Sequence, residues 1–285
     1  MLKVWLNGYS GQIGSAIAKL LDPLQYEIFE TDKDELDITD IENVMSFGEM
    51  NRPDIIINCA GMTDVEKCEN NKEEAFRVNA LGARNLSIIA GKISAKLVHI
   101  STDDVFNGTK EKPFDEFDEP NPINVYGKSK LAGERYVKEF TKKHFIIRSS
   151  WVYGHGDNFV SKIIQAAQNE DILKIANDQF GAPTSADELA KFIIYIMNTN
   201  EYGTYHMTCN GVCSREEFAR EILQQLKINA QIIPVTTNQA DFTSRHPSYT
   251  VLDHLILSIL NDYQLITWQD ALSHFLKRRV SSEKK

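Results

Sequence analysis

Residues 2–7 (LKVWLN) form a short apolar run that ends at Gly8-Tyr9-Ser10-Gly11-Gln12-Ile13-Gly14. Beyond it Ile13, Ile17, Leu20 and Leu21 fall near one face at helical spacing. The N-terminus therefore reads as strand, glycine turn and helix, the helix over Ser15–Leu21. A second strand is predicted at Tyr26–Glu30, and a short helix at Ile41–Met50 closed by Arg52-Pro53. Asp54–Cys59 (DIIINC) is apolar without alternation, the pattern of a parallel strand buried on both faces. Glu73–Lys92 reads as one long helix, Lys96–Ile100 (KLVHI) as a strand, and Phe145–Arg148 with Ser149 as another.

Strands alternating with helices predict an α/β fold: a Rossmann-like, doubly wound parallel sheet with right-handed crossovers. Beyond residue 152 the pattern loosens. Helices are expected at Phe159–Gln168, Ala186–Met197 and Ser214–Leu226, and short strands at Thr204–Met207 and Gln231–Val235. Asp241–Tyr249 reads as a polar loop and Ser281–Lys285 as a frayed tail. No repeat or flexible linker interrupts the chain.

Composition narrows the class. At 285 residues, 42% hydrophobic and 25% charged, the chain suits one large domain or two closely joined ones. With 15 Gly and 8 Pro it is no low-complexity segment. No apolar run approaches the roughly 18–20 residues of a membrane span, so no membrane partner is expected. The N-terminus lacks a cleavable signal pattern, which points to the cytoplasm. A net charge of −9 argues against nucleic-acid binding, which needs basic surface. It leaves room for a phosphorylated small molecule held by local backbone amides. Cys59, Cys68, Cys209 and Cys213 form no CxxC pair and no zinc spacing, so they are expected to be reduced thiols, and no metal is expected.

The glycine turn fits such a ligand. A nucleotide pyrophosphate needs free N–H groups at the positive end of a helix, and side chains would block its approach. Gly8, Gly11 and Gly14 give GxxGxxG between strand and helix. The second strand runs out at Thr31-Asp32-Lys33. Asp32 suits the ribose hydroxyls of NADH and would repel a 2′-phosphate, whereas Lys33 could meet one, so NADPH stays admissible. Asp37 is a candidate for the adenine end.

Tyr126 and Lys130 stand four apart, on one face of a helix, downstream of the strand end His99-Ile100-Ser101-Thr102. Reducing a ketone needs a hydride and a proton for the nascent alkoxide. A free tyrosine titrates near 10, and a neighbouring ammonium is expected to lower that value. Lys130 can do this and hold the nicotinamide ribose, while Thr102 orients the carbonyl.

Several longer motifs accompany this trio: GYSGQIG (8–14), LDIT (36–39), INCAGMTDVEKCE (57–69), VNALGARNL (78–86), STDDVFNG (101–108), VYGKSKLAGE (125–134), RSSWVYG (148–154), NDQFGAPTSADELA (177–190), GTYH (203–206) and PSYTVLD (247–253). Together they resemble the extended short-chain dehydrogenase/reductases, in detail the dTDP-4-dehydrorhamnose reductases, over nearly the whole chain. The resemblance implies a nicotinamide-binding domain over 1–152, with 172–205 returning to it. A smaller C-terminal α/β substrate-binding domain then comprises mainly 153–171 and 206–285. It implies reduction of dTDP-4-dehydro-6-deoxy-L-mannose to dTDP-L-rhamnose, with Tyr126 as acid. Gly8, Gly11, Gln12 and Ile13 would line the pyrophosphate, Asp37 and Ile38 the adenine, and Ala60, Gly61 and Thr63 the border of cofactor and substrate. Asn79 would prop the cofactor side. Thr63, Thr102, Asp103, Asp104, Val105 and Tyr126 would line the sugar site, Trp151 and Asn158 would face the sugar nucleotide, and Gln179 and Thr184 would lie in the loop closing on it.

The chain departs from the family pattern in three places. Asp104 and Asn107 stand where the family usually has Tyr and Asp. His246-Pro247 replaces an Arg-Pro whose arginine meets the diphosphate, so Arg245 or His246 would have to serve. Some members bind magnesium at a dimer interface through a glutamate where this chain has Ala16, so a monomer or weak homodimer is expected. Three alternatives stay open at this point. The first is another nucleotide-linked 4-keto sugar, such as a UDP-linked 2-acetamido type. The second is an epimerase or dehydratase on the same scaffold. The third is a non-catalytic subunit like the regulatory β subunit of methionine adenosyltransferase.

Overall fold

The structure, a computed structural model, describes residues 1–239, 246–260 and 263–282. Strand β1 (Leu2–Asn7) pairs in parallel with β2 (Tyr26–Thr31) on one side and β3 (Ile55–Asn58) on the other. Beyond β3 lie β4 (Lys96–Thr102) and β5 (His144–Ser149), and the strand Gly203–His206 forms the far edge. The chain thus winds outward both ways from β1 and β3. That reversal opens a crevice at their carboxyl ends, where ligands of such sheets bind.

Consecutive strand residues bury into two different cores. Val4, Leu6, Ile55, Ile57, Val98 and Ile100 pack with Ile17 of α1 (Gln12–Leu20) and with Leu189, Phe192 and Ile193 of the helix Ala186–Met197. Trp5, Ile56, Leu97 and Ile146 face the opposite way, onto Val44, Leu86, Ile89 and Val137. Burial on both faces is why these strands show no polar alternation.

Some boundaries differ from the sequence reading. Helix α1 starts at Gln12 because Gly11, in extended conformation, is its N-cap. The long helix expected at Glu73–Lys92 is α-helical at Lys72–Phe76 and Ala83–Ile93, with a π-helical stretch at Arg77–Gly82 between them. The strand expected at Lys96–Ile100 runs on to Thr102, which carries that hydroxyl to the crevice.

A second core, including Tyr153, Val160, Ile163, Phe218, Trp268 and Leu272, gathers the helices Phe159–Asn169, Arg215–Leu226 and Trp268–Ser282. The last helix was not foreseen, although Trp268, Ala271, Leu272 and Leu276 recur at helical spacing. It takes Ser281 and Ser282 out of the expected tail, whose remaining residues, 283–285, lie outside the described residues. Residues 172–205 do not return to the main sheet as a block. Ile172–Ala176 pairs with Gln231–Val235, and the segment rejoins the main sheet from Ala186 onward. Residues 241–245 of the expected polar loop also lie outside the described residues. Farther along, Ser248 and Thr250 bond the backbone of Phe180 at 2.7 and 3.0 Å, which fixes the segment beside the crevice. No described helix is long and apolar enough to cross a membrane.

Candidate active site

Two cavities meet at the crevice. The smaller, of about 280 Å³, is lined by Gly8, Gly11, Asp32, Asp37, Ile38 and Ala60, among others. Gly8 has φ +77°, and a Cβ there would stand 2.6 Å from the Ala60 nitrogen, so the loops after β1 and β3 touch only because this residue has no side chain. A Cβ on Gly14 would lie 2.1 Å from the Gly8 carbonyl oxygen. Gly11 caps α1 without a side chain, so no side chain takes up the first-turn N–H groups. This cradle fits a pyrophosphate. The Asp32 carboxylate accepts the Ser10 N–H at 3.0 Å, and exposed Lys33 stands 3.9 Å from Glu74. Asp37 accepts the Thr39 N–H at 2.8 Å, which helps hold its carboxyl below the ordinary range against the opposing effect of burial. Asn85 pins the loop by donating to the Ile38 carbonyl at 2.9 Å.

The larger cavity, of about 490 Å³, brings together Thr102, Tyr126 and Lys130 with Gln12, Ile13, Gly61, Thr63, Asp103, Asp104, Trp151, Gln179 and His246. Thr102 comes from the end of β4, and Tyr126 and Lys130 from the helix Val125–Phe140. The Thr102 hydroxyl donates to Asp103 at 3.1 Å and accepts the Asp104 N–H at 3.2 Å. The Thr102 hydroxyl also lies close enough to the Tyr126 phenol to act on it. A larger hollow of about 650 Å³ lies behind α1, against the helix Trp268–Ser282, and includes none of this trio.

The electrostatics differ from the sequence reading. Burial, then the Asp104 carboxylate, push the Tyr126 phenol above its ordinary value, and Lys130 is not among the groups that act most strongly on it. The reason is placement: the phenol is buried and the Asp103–Asp104 pair lines the same cavity, and both burial and neighbouring negative charge favour the neutral form. A phenol held protonated is what an acid in a reduction requires. Burial also pushes the Lys130 ammonium down to about 8, against the pull of Glu134. Asp103 is pushed up to about 6 by burial and by Asp104, although it accepts from Ser150 at 2.7 Å and from Thr102 and Thr250. Burial raises Asp104 too, against a hydrogen bond from Asn124 and the charge of Arg215.

Four expected residues stand behind the cleft wall. Asn79 donates to the Met62 carbonyl and the Ser129 hydroxyl, both at 2.9 Å, and so props the 60–63 loop from the π-helical stretch. Asn158 caps the helix Phe159–Asn169 and donates to the Gly154 carbonyl at 2.8 Å. Thr184 is fully buried and donates to the Ala182 carbonyl at 3.1 Å. Val105 packs against Phe106 and Phe114. Arg245 lies outside the described residues.

The sequence reading also missed cleft residues: Cys59, Ser149, Thr250 and above all Arg215. Ser149 reaches the cavity with a buried hydroxyl that has no partner among the described residues, a polar atom for a ligand to meet. The signal for Arg215 was its position. Ser214 and Glu217 make a capping box, so a cation in the first turn opposes the helix dipole.

The model of the RmlD substrate binding domain family matches residues 2–281. The chain is 36% identical to the spore coat polysaccharide biosynthesis protein SpsK of Bacillus subtilis (strain 168), over 99% of each chain. It is 34% identical to a dTDP-4-dehydrorhamnose reductase of Aggregatibacter actinomycetemcomitans, over 96% of this chain and 98% of that one. Among solved structures, that of dTDP-4-dehydrorhamnose reductase from Bacillus anthracis str. Ames in complex with NADP superposes with a TM-score of 0.95 at 38% identity, covering 98% of this chain and 100% of that one.

Proposed function

The chain belongs to the RmlD substrate binding domain family, and from that premise we propose that it reduces the 4-keto group of dTDP-4-dehydro-6-deoxy-L-mannose to give dTDP-L-rhamnose. The single observation that carries the reading is the meeting of Thr102, Tyr126 and Lys130 in one cavity that opens onto the glycine cradle. The nicotinamide cofactor supplies the hydride. Thr102 orients the carbonyl, and Tyr126 hands its phenolic proton to the alkoxide oxygen. Lys130 holds the ribose beside Gly61. Asp32 at the ribose end favours NADH, while the NADP complex of the Bacillus anthracis enzyme supports use of NADPH as well.

Residues 1–152 would carry the cofactor and the C-terminal part the nucleotide sugar. Ala16 in α1 supports a monomer or weak homodimer, without a magnesium bridge. Four free thiols suit the cytoplasm. A second reading, a different nucleotide-linked 4-keto sugar, is favoured by Asp104 in the cavity wall.

Following NADPH and NADH oxidation with dTDP-4-dehydro-6-deoxy-L-mannose tests the reading. Wild type should turn over, and Tyr126→Phe should lose roughly 10²–10⁴ in kcat with cofactor affinity unchanged. Cofactor that binds without being consumed on this sugar, but is consumed on a UDP-linked 4-keto sugar, would transfer the assignment to the second reading.

A further inference from the structure

Arg215 is built into the substrate end of the cleft with more support than a surface charge needs. Its guanidinium carbon lies 3.6 Å from the centroid of a Trp151 ring and 5.1 Å from that of Phe159. Trp151 itself is held in a left-handed conformation, φ +46°, and a Cβ on Gly181 would collide with its indole at 2.6 Å. Backbone strain and a missing side chain are thus both used to seat the ring on which the guanidinium stacks. Asp103 and Asp104 act on Arg215 through space, yet neither forms an ion pair with it. Burial lowers its pKa to about 10, which leaves it charged at neutral pH. A half-buried cation that opposes its helix dipole and makes no ion pair among the described residues is costly unless an anion completes it.

The residue that the family pattern would use does not supply that charge. His246 lines the same cavity, and burial together with Arg215 lowers its pKa below the usual histidine value, which leaves the ring neutral near pH 7. The other cation of the cavity is Lys130, which sits beside Gly61 at the cofactor side.

We propose that Arg215, at the start of the helix Arg215–Leu226, is the residue that takes the diphosphate of the nucleotide-linked substrate, in place of an arginine at position 246. The inference rests on the nucleotide-sugar reading above. A guanidinium presents several N–H donors in a planar fork, which matches phosphate oxygens in a way that a neutral imidazole cannot.

Calorimetric binding of dTDP, thymidine and NADPH tests it. Arg215→Gln should weaken dTDP binding by on the order of 10- to 100-fold while thymidine and NADPH affinities hold. Arg215→Lys should fall between, since it keeps a charge without the fork. Unchanged dTDP affinity in Arg215→Gln overturns the proposal. So does an equal loss of thymidine, which would make Arg215 only a brace for Trp151. If the Gln variant also loses NADPH, the Lys variant decides: weaker dTDP with NADPH retained supports the proposal, and unchanged dTDP overturns it. Wild type that binds NADPH but no dTDP removes the dTDP-sugar reading and this proposal together. Wild type that binds dTDP as well as Arg215→Gln does removes this proposal alone.

Discussion

Asn124 ties Asp104 to the start of the helix that carries Tyr126 and Lys130. Its Nδ2 donates to Asp104 Oδ2 at 3.1 Å, and its Oδ1 accepts the Gly127 N–H at 2.7 Å. Gly127 makes the approach possible, because a Cβ there would stand 2.0 Å from the Asp104 carbonyl oxygen. Since the Asp104 N–H also donates to Thr102, one short segment positions both the Thr102 hydroxyl and the helix that carries Tyr126.

On the proposed mechanism, this arrangement sets the pH range of the reaction. Tyr126 must be protonated to act, and the Asp104 carboxylate raises its pKa. Removing that charge lowers the pKa, so the basic limb of kcat/KM against pH should move toward lower pH in Asp104→Asn. Asparagine keeps an oxygen that can still accept from Asn124. A basic limb that stays in place would show that the carboxylate does not act on the phenol.

The cofactor cradle should respond unequally to its three glycines. A methyl on Gly14 meets backbone at 2.1 Å and cannot be relieved by a rotamer change, whereas a methyl on Gly11 meets the Gly8 oxygen at 3.3 Å. Gly14→Ala should therefore weaken NADPH binding at least about tenfold, by roughly 1.4 kcal/mol or more, and Gly11→Ala should weaken it less. Equal effects in a fluorescence titration of NADPH would contradict this geometry.

Asp32 should govern the choice between the two cofactors. Its carboxylate accepts the Ser10 N–H and lines the smaller cavity, where on the proposed reading a 2′-phosphate would meet it. Asp32→Ser should raise the ratio of kcat/KM for NADPH to that for NADH by about tenfold. An unchanged ratio would place the discriminating charge elsewhere.

Behind Thr102, Tyr126 and Lys130, Arg148 donates to Glu134 through Nε at 2.9 Å and Nη2 at 2.8 Å, and Ser101 donates to the same carboxylate at 2.6 Å. Both charged side chains are almost fully buried. Glu134→Ala leaves the guanidinium without its partner and should cost about 3–5 kcal/mol in a urea melt. The partners hold the Glu134 pKa below its unfolded value despite burial. Its contribution to stability is therefore complete above the unfolded pKa, near 4.3, and is lost as pH falls through the folded one. The wild-type advantage over Glu134→Gln should shrink over that acidic range.

Local features of the sequence determined the sheet and the shared helix face of Tyr126 and Lys130. DIIINC and KLVHI reveal doubly buried strands because burial on both faces removes the polar alternation. GxxGxxG and the Tyr126/Lys130 spacing reveal the turn and the shared helix face because both depend on residues only a few positions apart. The tertiary structure alone decided which groups act on Tyr126, that Arg215 joins Asp104 and Trp151 in one cavity, and that Asn158 and Thr184 serve as a cap and a buried packing residue. A pKa or an unpaired charge depends on burial and on charges brought from distant segments. Only the tertiary packing that brings Arg215, Asp104 and Trp151 to one cavity fixes those distances, and no periodicity in the chain records them.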